Sequence, residues 1–362
     1  MCGGVGSSRS NLRRSWSLNA TALITGISGQ DGAYLGALLV EKGYRVVGAA
    51  RRSASGELWR LRELGVESAI EIMDLELAEY SNVEDVIRRV RPDEVYNLAA
   101  QSFVGSSFDT PVFTADVNAL GVIRLLEALR RHAPKARFYQ ASTSEMFGRA
   151  RETPQREGTP FHPRSPYGVS KAFGHWATVN YRETWDLFAV SGIMFNHESP
   201  LRGPEFVTRK ITMAAACHAI GDGAVLRLGN LNSKRDWGFA GDYVRAMWSM
   251  LQADTPDDYV IASGEAHTVR EFASHAFAEV GIELDWVGEG AEERGLQRET
   301  GRVLVEVSPK YLRPADVESL LGDASKAHAK LGWSPEVSFE SLVRLMVNRD
   351  AERFRSRAAG CD

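Results

Sequence analysis

The chain has 362 residues, of which 44% are hydrophobic and 25% charged, ordinary globular usage that argues against disorder. Its length suggests two lobes, or one large α/β unit with an elaboration. Forty-three Lys and Arg against 47 Asp and Glu give a net charge of -4, which argues against a nucleic-acid binder relying on overall charge. Any anionic ligand must then be held by a local cluster. Cys2, Cys217 and Cys361 lie far apart and form no CxxC pair, so a reducing, cytoplasmic setting is expected. No apolar run is long enough to span a membrane. Residues 1–19 are rich in Ser, Gly and Arg and are expected to be a disordered extension. No metal site is expected: His197-Glu198 begins like HExxH, but Leu201 stands at the second histidine position.

Thr21–Thr25 predicts a strand ended by Gly26. A glycine turn, Gly26 to Gly32, leads into a helix over Tyr34–Lys42, stopped by Gly43, and then a strand over Tyr44–Ala50. This is a βαβ unit. Strands follow at Ile70–Met73, Glu94–Leu98, Ala136–Ser142 and Phe188–Met194. Helices are expected over Val83–Val90, Val117–Arg131 and Ser165–Trp185. The alternation predicts a Rossmann-type doubly wound parallel sheet, with ligands at the C-terminal ends of its strands. Residues 20–195 are read as the dinucleotide-binding domain, with 229–262 contributing to it. Residues 196–355 are read as a smaller, mainly substrate-binding lobe, and 356–362 as a tail.

The spacing Gly26, Gly29, Gly32 sits between a predicted strand and helix, the context in which it signals a pyrophosphate. Gly26 serves the tight turn, Gly29 backbone approach and Gly32 close packing, with Gln30 and Asp31 between them. About 20 residues on, an NAD enzyme carries Asp or Glu for the ribose 2′-hydroxyl. Here Arg51-Arg52-Ser53 stand instead, which suits a 2′-phosphate and predicts NADP. Asp74-Leu75 would reach the adenine edge. Leu98, Ala99, Ala100, Gln101 and Ser102 would line the cofactor.

Tyr167 and Lys171 are four apart near a helix start, on one face. A nearby ammonium lowers a phenol from its usual value of about 10, making it a usable base. Without the upstream glycine motif, a surface Tyr and Lys would be the better reading. Thr143 and Glu145 follow the fifth strand. Glu145 could take a proton from a carbon beside a new ketone; equally, the segment could simply cap a helix.

These residues resemble the extended short-chain dehydrogenase/reductases. The segments QASTSEMFG (140–148), PRSPYGVSK (163–171), NHESPLRG (196–203), FVTRKIT (206–212), LGNLNSKRDWGFAGDY (228–243) and YLRPADVESLLGD (311–323) resemble the GDP-mannose 4,6-dehydratase family, from about Thr21 to about Val347. The resemblance implies a hydro-lyase acting on GDP-mannose by C4 oxidation, C5/C6 elimination and internal return of the hydride to C6. It implies that Tyr167, helped by Thr143, takes the C4 hydroxyl proton, that Glu145 works at C5 and C6, and that Lys171 tunes Tyr167 and bonds the nicotinamide ribose. It sets His197 and Arg202 near the cofactor and Ser102, Asn196, Lys210, Arg235 and Arg313 near the substrate. It also makes a homodimer or homotetramer the expected assembly. Phe113 and Phe147 depart from the tyrosines common in relatives. Six Lys/Arg against two acids in residues 200–235 give a local balance of +4, where the substrate's diphosphate is expected. The competing readings are an NADP-dependent sugar-nucleotide reductase or epimerase, and an NADP-binding sensor without turnover.

Overall fold

The computed structural model describes residues 20–52, 58–311 and 319–358. Ser53, Arg313 and the extension 1–19 lie outside the described residues. Six strands are β1 (Thr21–Thr25), β2 (Arg45–Ala50), β3 (Ile70–Asp74), β4 (Glu94–Asn97), β5 (Arg137–Thr143) and β6 (Ala189–Met194). The later strands are β7 (Asn196–Glu198), β8 (Leu226–Leu228), β9 (Lys234–Arg235), β10 (Trp237–Phe239), β11 (Asp258–Ile261), β12 (His267–Thr268), β13 (Leu284–Val287), β14 (Arg294–Gln297), β15 (Val303–Val307) and β16 (Ser319–Leu320). The main sheet runs β11-β6-β5-β4-β1-β2-β3, and every neighbouring pair is parallel. The order reverses direction at β1, between β4 and β2, which opens a crevice at the strand C-termini where such sheets hold ligands. This is the doubly wound parallel sheet expected from the sequence.

The sheet is apolar on both faces because both are covered. Neighbouring strand residues point opposite ways. Ile24, Val46, Tyr96 and Tyr139 pack on one side, and Leu23, Val47, Val95 and Phe138 on the other. The helices are α1 (Gln30–Glu41), α2 (Trp59–Glu63), α3 (Tyr80–Val90), α4 (Val104–Asp109), α5 (Pro111–Ala115), α6 (Gly121–His132), α7 (Pro166–Trp185), α8 (Val207–Ala219), α9 (Ala240–Gln252), α10 (Val269–Glu279), α11 (Ser325–Leu331) and α12 (Phe339–Ala358). Leu35 and Leu39 of α1 and Met247 and Met250 of α9 cover the first face. Val86 of α3, Leu125 of α6 and Tyr181 of α7 cover the second. The helix expected over Val117–Arg131 begins differently: α5 passes through a wide π-turn, Asp116–Leu120, before α6. α12 runs on to Ala358, into the stretch 356–362 read from the sequence as a tail.

The later chain has its own core. A sheet ordered β13-β14-β15-β8 packs with α8, α10 and α12 around Phe272, Phe277, Val305, Leu342 and Met346. Two small pairings, β10-β7 and β12-β9-β16, connect it toward the main sheet's ligand edge.

Candidate active site

β1 ends in a turn that only glycine fits. Gly26 has φ +73°, and a Cβ there would lie 2.8 Å from the Ala99 backbone nitrogen; one on Gly32 would lie 2.4 Å from the Gly26 carbonyl oxygen. The start of α1 therefore packs onto the turn. Gly29 is its N-cap and no side chain caps it, so the first-turn N–H groups of α1 are open to an anion.

The side chains of Gln30 and Asp31 reach across to the segment around β7. Gln30 Nε2 donates to the His197 carbonyl at 3.1 Å, and Ser199 Oγ donates to Gln30 Oε1 at 2.8 Å. His197 Nε2 lies 2.8 Å from Asp31 Oδ2, and its Nδ1 lies 2.7 Å from the Phe195 carbonyl. Both ring nitrogens thus face acceptors, which favours the charged, doubly protonated imidazolium. The ring stacks on Tyr243, with centroids 4.6 Å apart. Burial lowers the His197 pKa, but the Asp31 charge and hydrogen bond and the Phe195 carbonyl outweigh it and hold the imidazole above its usual value. Burial alone would raise Asp31, yet His197 and Gln30 hold it at about 2. These two side chains, expected to serve the cofactor, also tie the start of α1 to the β7 segment. Arg60, unassigned by the sequence reading, braces the same loop through the Ser28 carbonyl at 2.9 Å and the Leu201 carbonyl at 2.7 Å.

β2 ends at Ala50, and Arg51 and Arg52 follow it, both exposed. Asp74 closes β3, and Leu75 is buried, its N–H bonded to the Ala50 carbonyl at 2.9 Å. Leu98, Ala99 and Ala100 leave the end of β4 with little bulk. Gln101 is fixed by Asn118, whose Oδ1 accepts from the Gln101 N–H at 2.8 Å and whose Nδ2 donates to the Gln101 carbonyl at 2.9 Å. Ser102 is exposed beside it. Asn118 lies in the π-turn and is 2% exposed. The sequence reading missed it. A buried Asn among Val117 and Ala119 was the available signal.

β5 carries Thr143 to the same edge. The Glu145 N–H donates to Thr143 Oγ1 at 3.2 Å, which starts the short 3-10 turn Ser144–Met146. α7 begins at Pro166, capped by Ser165, whose hydroxyl accepts from the Gly168 N–H at 3.0 Å. Gly168 allows the close approach that matters here, since a Cβ on it would sit 2.8 Å from the Glu145 carbonyl oxygen. Tyr167 and Lys171 are both buried. Lys171 Nζ donates to the Ala141 carbonyl at 2.8 Å and lies 5.9 Å from the centre of the Tyr167 ring.

Burial pushes the Tyr167 phenol up to about 12; a Thr143 hydrogen bond and the Arg202 charge oppose this, and Glu145 adds to it. Burial also pushes Lys171 down to about 8. The expected lowering of the phenol is therefore not achieved by the protein's own groups, because desolvation outweighs them.

Beyond β7 the expected basic cluster is smaller than counted. Arg209 is buried and spent on Asp350, with Nη2 at 2.7 Å from its carboxylate. Arg227 pairs with Glu306 at 2.7 Å and Arg202 with Glu198 at 3.0 Å. The +4 balance of residues 200–235 is offset by acids outside that window. Asn196 pairs in register with Trp237. Lys210 Nζ sits 4.6 Å over the Tyr311 ring, and Arg235 is nearly buried in the β12-β9-β16 pairing. Among the described residues no group of three or more His, Cys, Asp or Glu is placed to hold a metal ion.

A family model described as GDP-mannose 4,6 dehydratase matches residues 23–346. A curated GDP-mannose 4,6 dehydratase of Cricetulus griseus is 49% identical over 343 residues, covering 92% of each chain. A GDP-mannose 4,6-dehydratase of Sinorhizobium fredii is 49% identical over 341 residues, covering 92% of this chain and 97% of that one. Among solved structures, a UDP-glucose 4-epimerase of Thermotoga maritima superposes with a TM-score of 0.78 at 24% identity, over 92% of this chain and 99% of the other, a likeness of fold. The chain belongs to the GDP-mannose 4,6-dehydratase family.

Proposed function

We propose that this chain converts GDP-mannose to GDP-4-dehydro-6-deoxy-D-mannose and water, with NADP as its resident cofactor. The observation that carries the reading is that one cleft edge gathers Thr143, Glu145, Tyr167 and Lys171 against an uncapped glycine helix start. A simple reductase has no use for the carboxylate.

The residues fit the cofactor. The first-turn N–H groups of α1 suit a pyrophosphate. Arg51 and Arg52 follow β2 without a carboxylate between them, which suits a 2′-phosphate. When bound there, NADP would supply reversible hydride chemistry between C4 and C6 of the sugar. Tyr167 removes the C4 hydroxyl proton, and Thr143 bonds the same oxygen. Lys171, charged below about pH 8, steadies the phenolate and orients the ribose beside it. The C4 ketone acidifies C5. Glu145 takes the C5 proton and delivers it to the C6 hydroxyl, which leaves as water. The proton that Tyr167 took from the C4 hydroxyl would then go to C5 as hydride is restored at C6, which returns Tyr167 to its starting state and completes the product. Ser102, Asn196, Lys210, Arg235 and Arg313 are the proposed contacts to the nucleotide sugar, with His197 and Arg202 toward the cofactor.

The finer statements have separate support. No helix among the described residues is long and apolar enough to cross a membrane, and with sparse cysteines this favours a cytoplasmic enzyme. Val169, Phe173 and Trp176 form an exposed apolar stripe on α7, beside exposed Val112 and Leu120. Such a stripe suits a homodimer, or a pair of dimers. Incubating the protein with GDP-mannose and identifying the product by mass and NMR tests the reading. A 4-keto-6-deoxy product supports it; recovery of unchanged or 4-epimerised sugar overturns it.

A further inference from the structure

Arg202 is held from behind by a residue to which the reaction assigns no task. Glu198 ends β7, pairs in register with Phe239 of β10, and is 2% exposed. Its Oε2 accepts from Thr208 Oγ1 of α8 at 2.6 Å. The same oxygen lies 3.0 Å from Arg202 Nε, a charge contact in which the N–H is not aligned for a hydrogen bond. The central carbon of the Arg202 guanidinium lies over the Phe206 ring, 3.6 Å from its centre. One edge and one face of the guanidinium are therefore fixed. Its two terminal nitrogens meet no hydrogen-bonding partner among the described residues, although the side chain is only 18% exposed. A buried-edged guanidinium with four unspent N–H donors is built for an anionic oxygen pair.

We propose that Glu198 is a positioning residue that fixes Arg202 so that its free end receives the phosphate oxygens of a nucleotide ligand in the cleft. This rests on the reading above that the cleft holds a dinucleotide and a nucleotide sugar. The shared chemistry is a diphosphate; either ligand could supply it. The carboxylate is needed for its charge and its place. Glu198→Gln keeps an acceptor for Thr208 and removes the charge that holds Arg202.

The test is a double-mutant cycle on the full chain with two probes, NADPH and GDP, titrated by calorimetry. Glu198→Gln and Arg202→Ala should each weaken the same probe by about tenfold or more. The double variant should be no weaker than Arg202→Ala alone, because Glu198 acts through Arg202. Loss of NADPH affinity assigns the cofactor diphosphate; loss of GDP affinity assigns the substrate's. Normal affinity for both probes in Glu198→Gln, with Arg202→Ala weakened, would overturn the inference, as would additive losses. A lowered melting temperature with unchanged affinities would mean a merely structural role and overturn it too. If the wild-type chain binds neither probe, it is the functional reading that fails.

Discussion

Asp31 and His197 are separated by 166 positions, yet their side chains meet at 2.8 Å and join the start of the glycine helix to β7. A carboxyl held at about 2 stabilises the fold above its unfolded value of 3.8 and loses that effect as pH falls through 2. An imidazole held above 6.5 stabilises the fold below 6.5 and loses the effect as pH rises through its raised value. Both contributions are present between about pH 4 and 6.5. Asp31→Asn should cost about 2 kcal/mol in that window, from the Asp31 shift alone. The deficit should shrink in strong acid and, in part, above the histidine's pKa. Denaturant unfolding at a series of pH values measures it.

Glu145 is the residue that separates dehydration from simple hydride transfer. Glu145→Gln keeps the shape and removes the base. Product formation should fall by about a hundredfold to ten-thousandfold. NADPH affinity should be unchanged, since the side chain is not needed for the dinucleotide. Steady-state assays paired with binding titrations check both halves.

Arg51 and Arg52 follow β2 where a carboxylate would favour NAD. Replacing both with Ala should reduce the preference for NADP over NAD by about tenfold or more, since charge-assisted contacts to a phosphate are lost. Binding constants for the two oxidised cofactors measure the ratio.

The α7 stripe gives a prediction about assembly. Phe173→Glu sets a charge on a residue 47% exposed in the single chain. Its fold should be untouched, and the protein should shift to monomer in sedimentation analysis. An unchanged oligomer would mean that this face is not the contact.

Most of the sheet was legible because each strand's pattern is local. Leu23 and Ile24 face opposite layers, and so do Val46 and Val47; the apolar runs say so directly. The start of α7 was legible for a similar reason: Ser165-Pro166 is a local start signal. What failed depended on distant partners. The wide turn at Asp116–Leu120 accompanies the bonds between Asn118 and Gln101, which no helix periodicity reveals. The positive stretch looked free because the acid that neutralises Arg209 lies 141 residues away, at Asp350. Tyr167 and Lys171 were found by spacing, but spacing says nothing of desolvation, which raises the phenol to about 12.

The central claim is one hydride that leaves C4 and returns to C6 within one cleft. GDP-mannose carrying deuterium at C4 tests it most directly. The label should appear at C6 of the 6-deoxy product, with no exchange into added NADPH. Deuterium lost to the solution, kept at C4, or found in free NADPH would contradict the account.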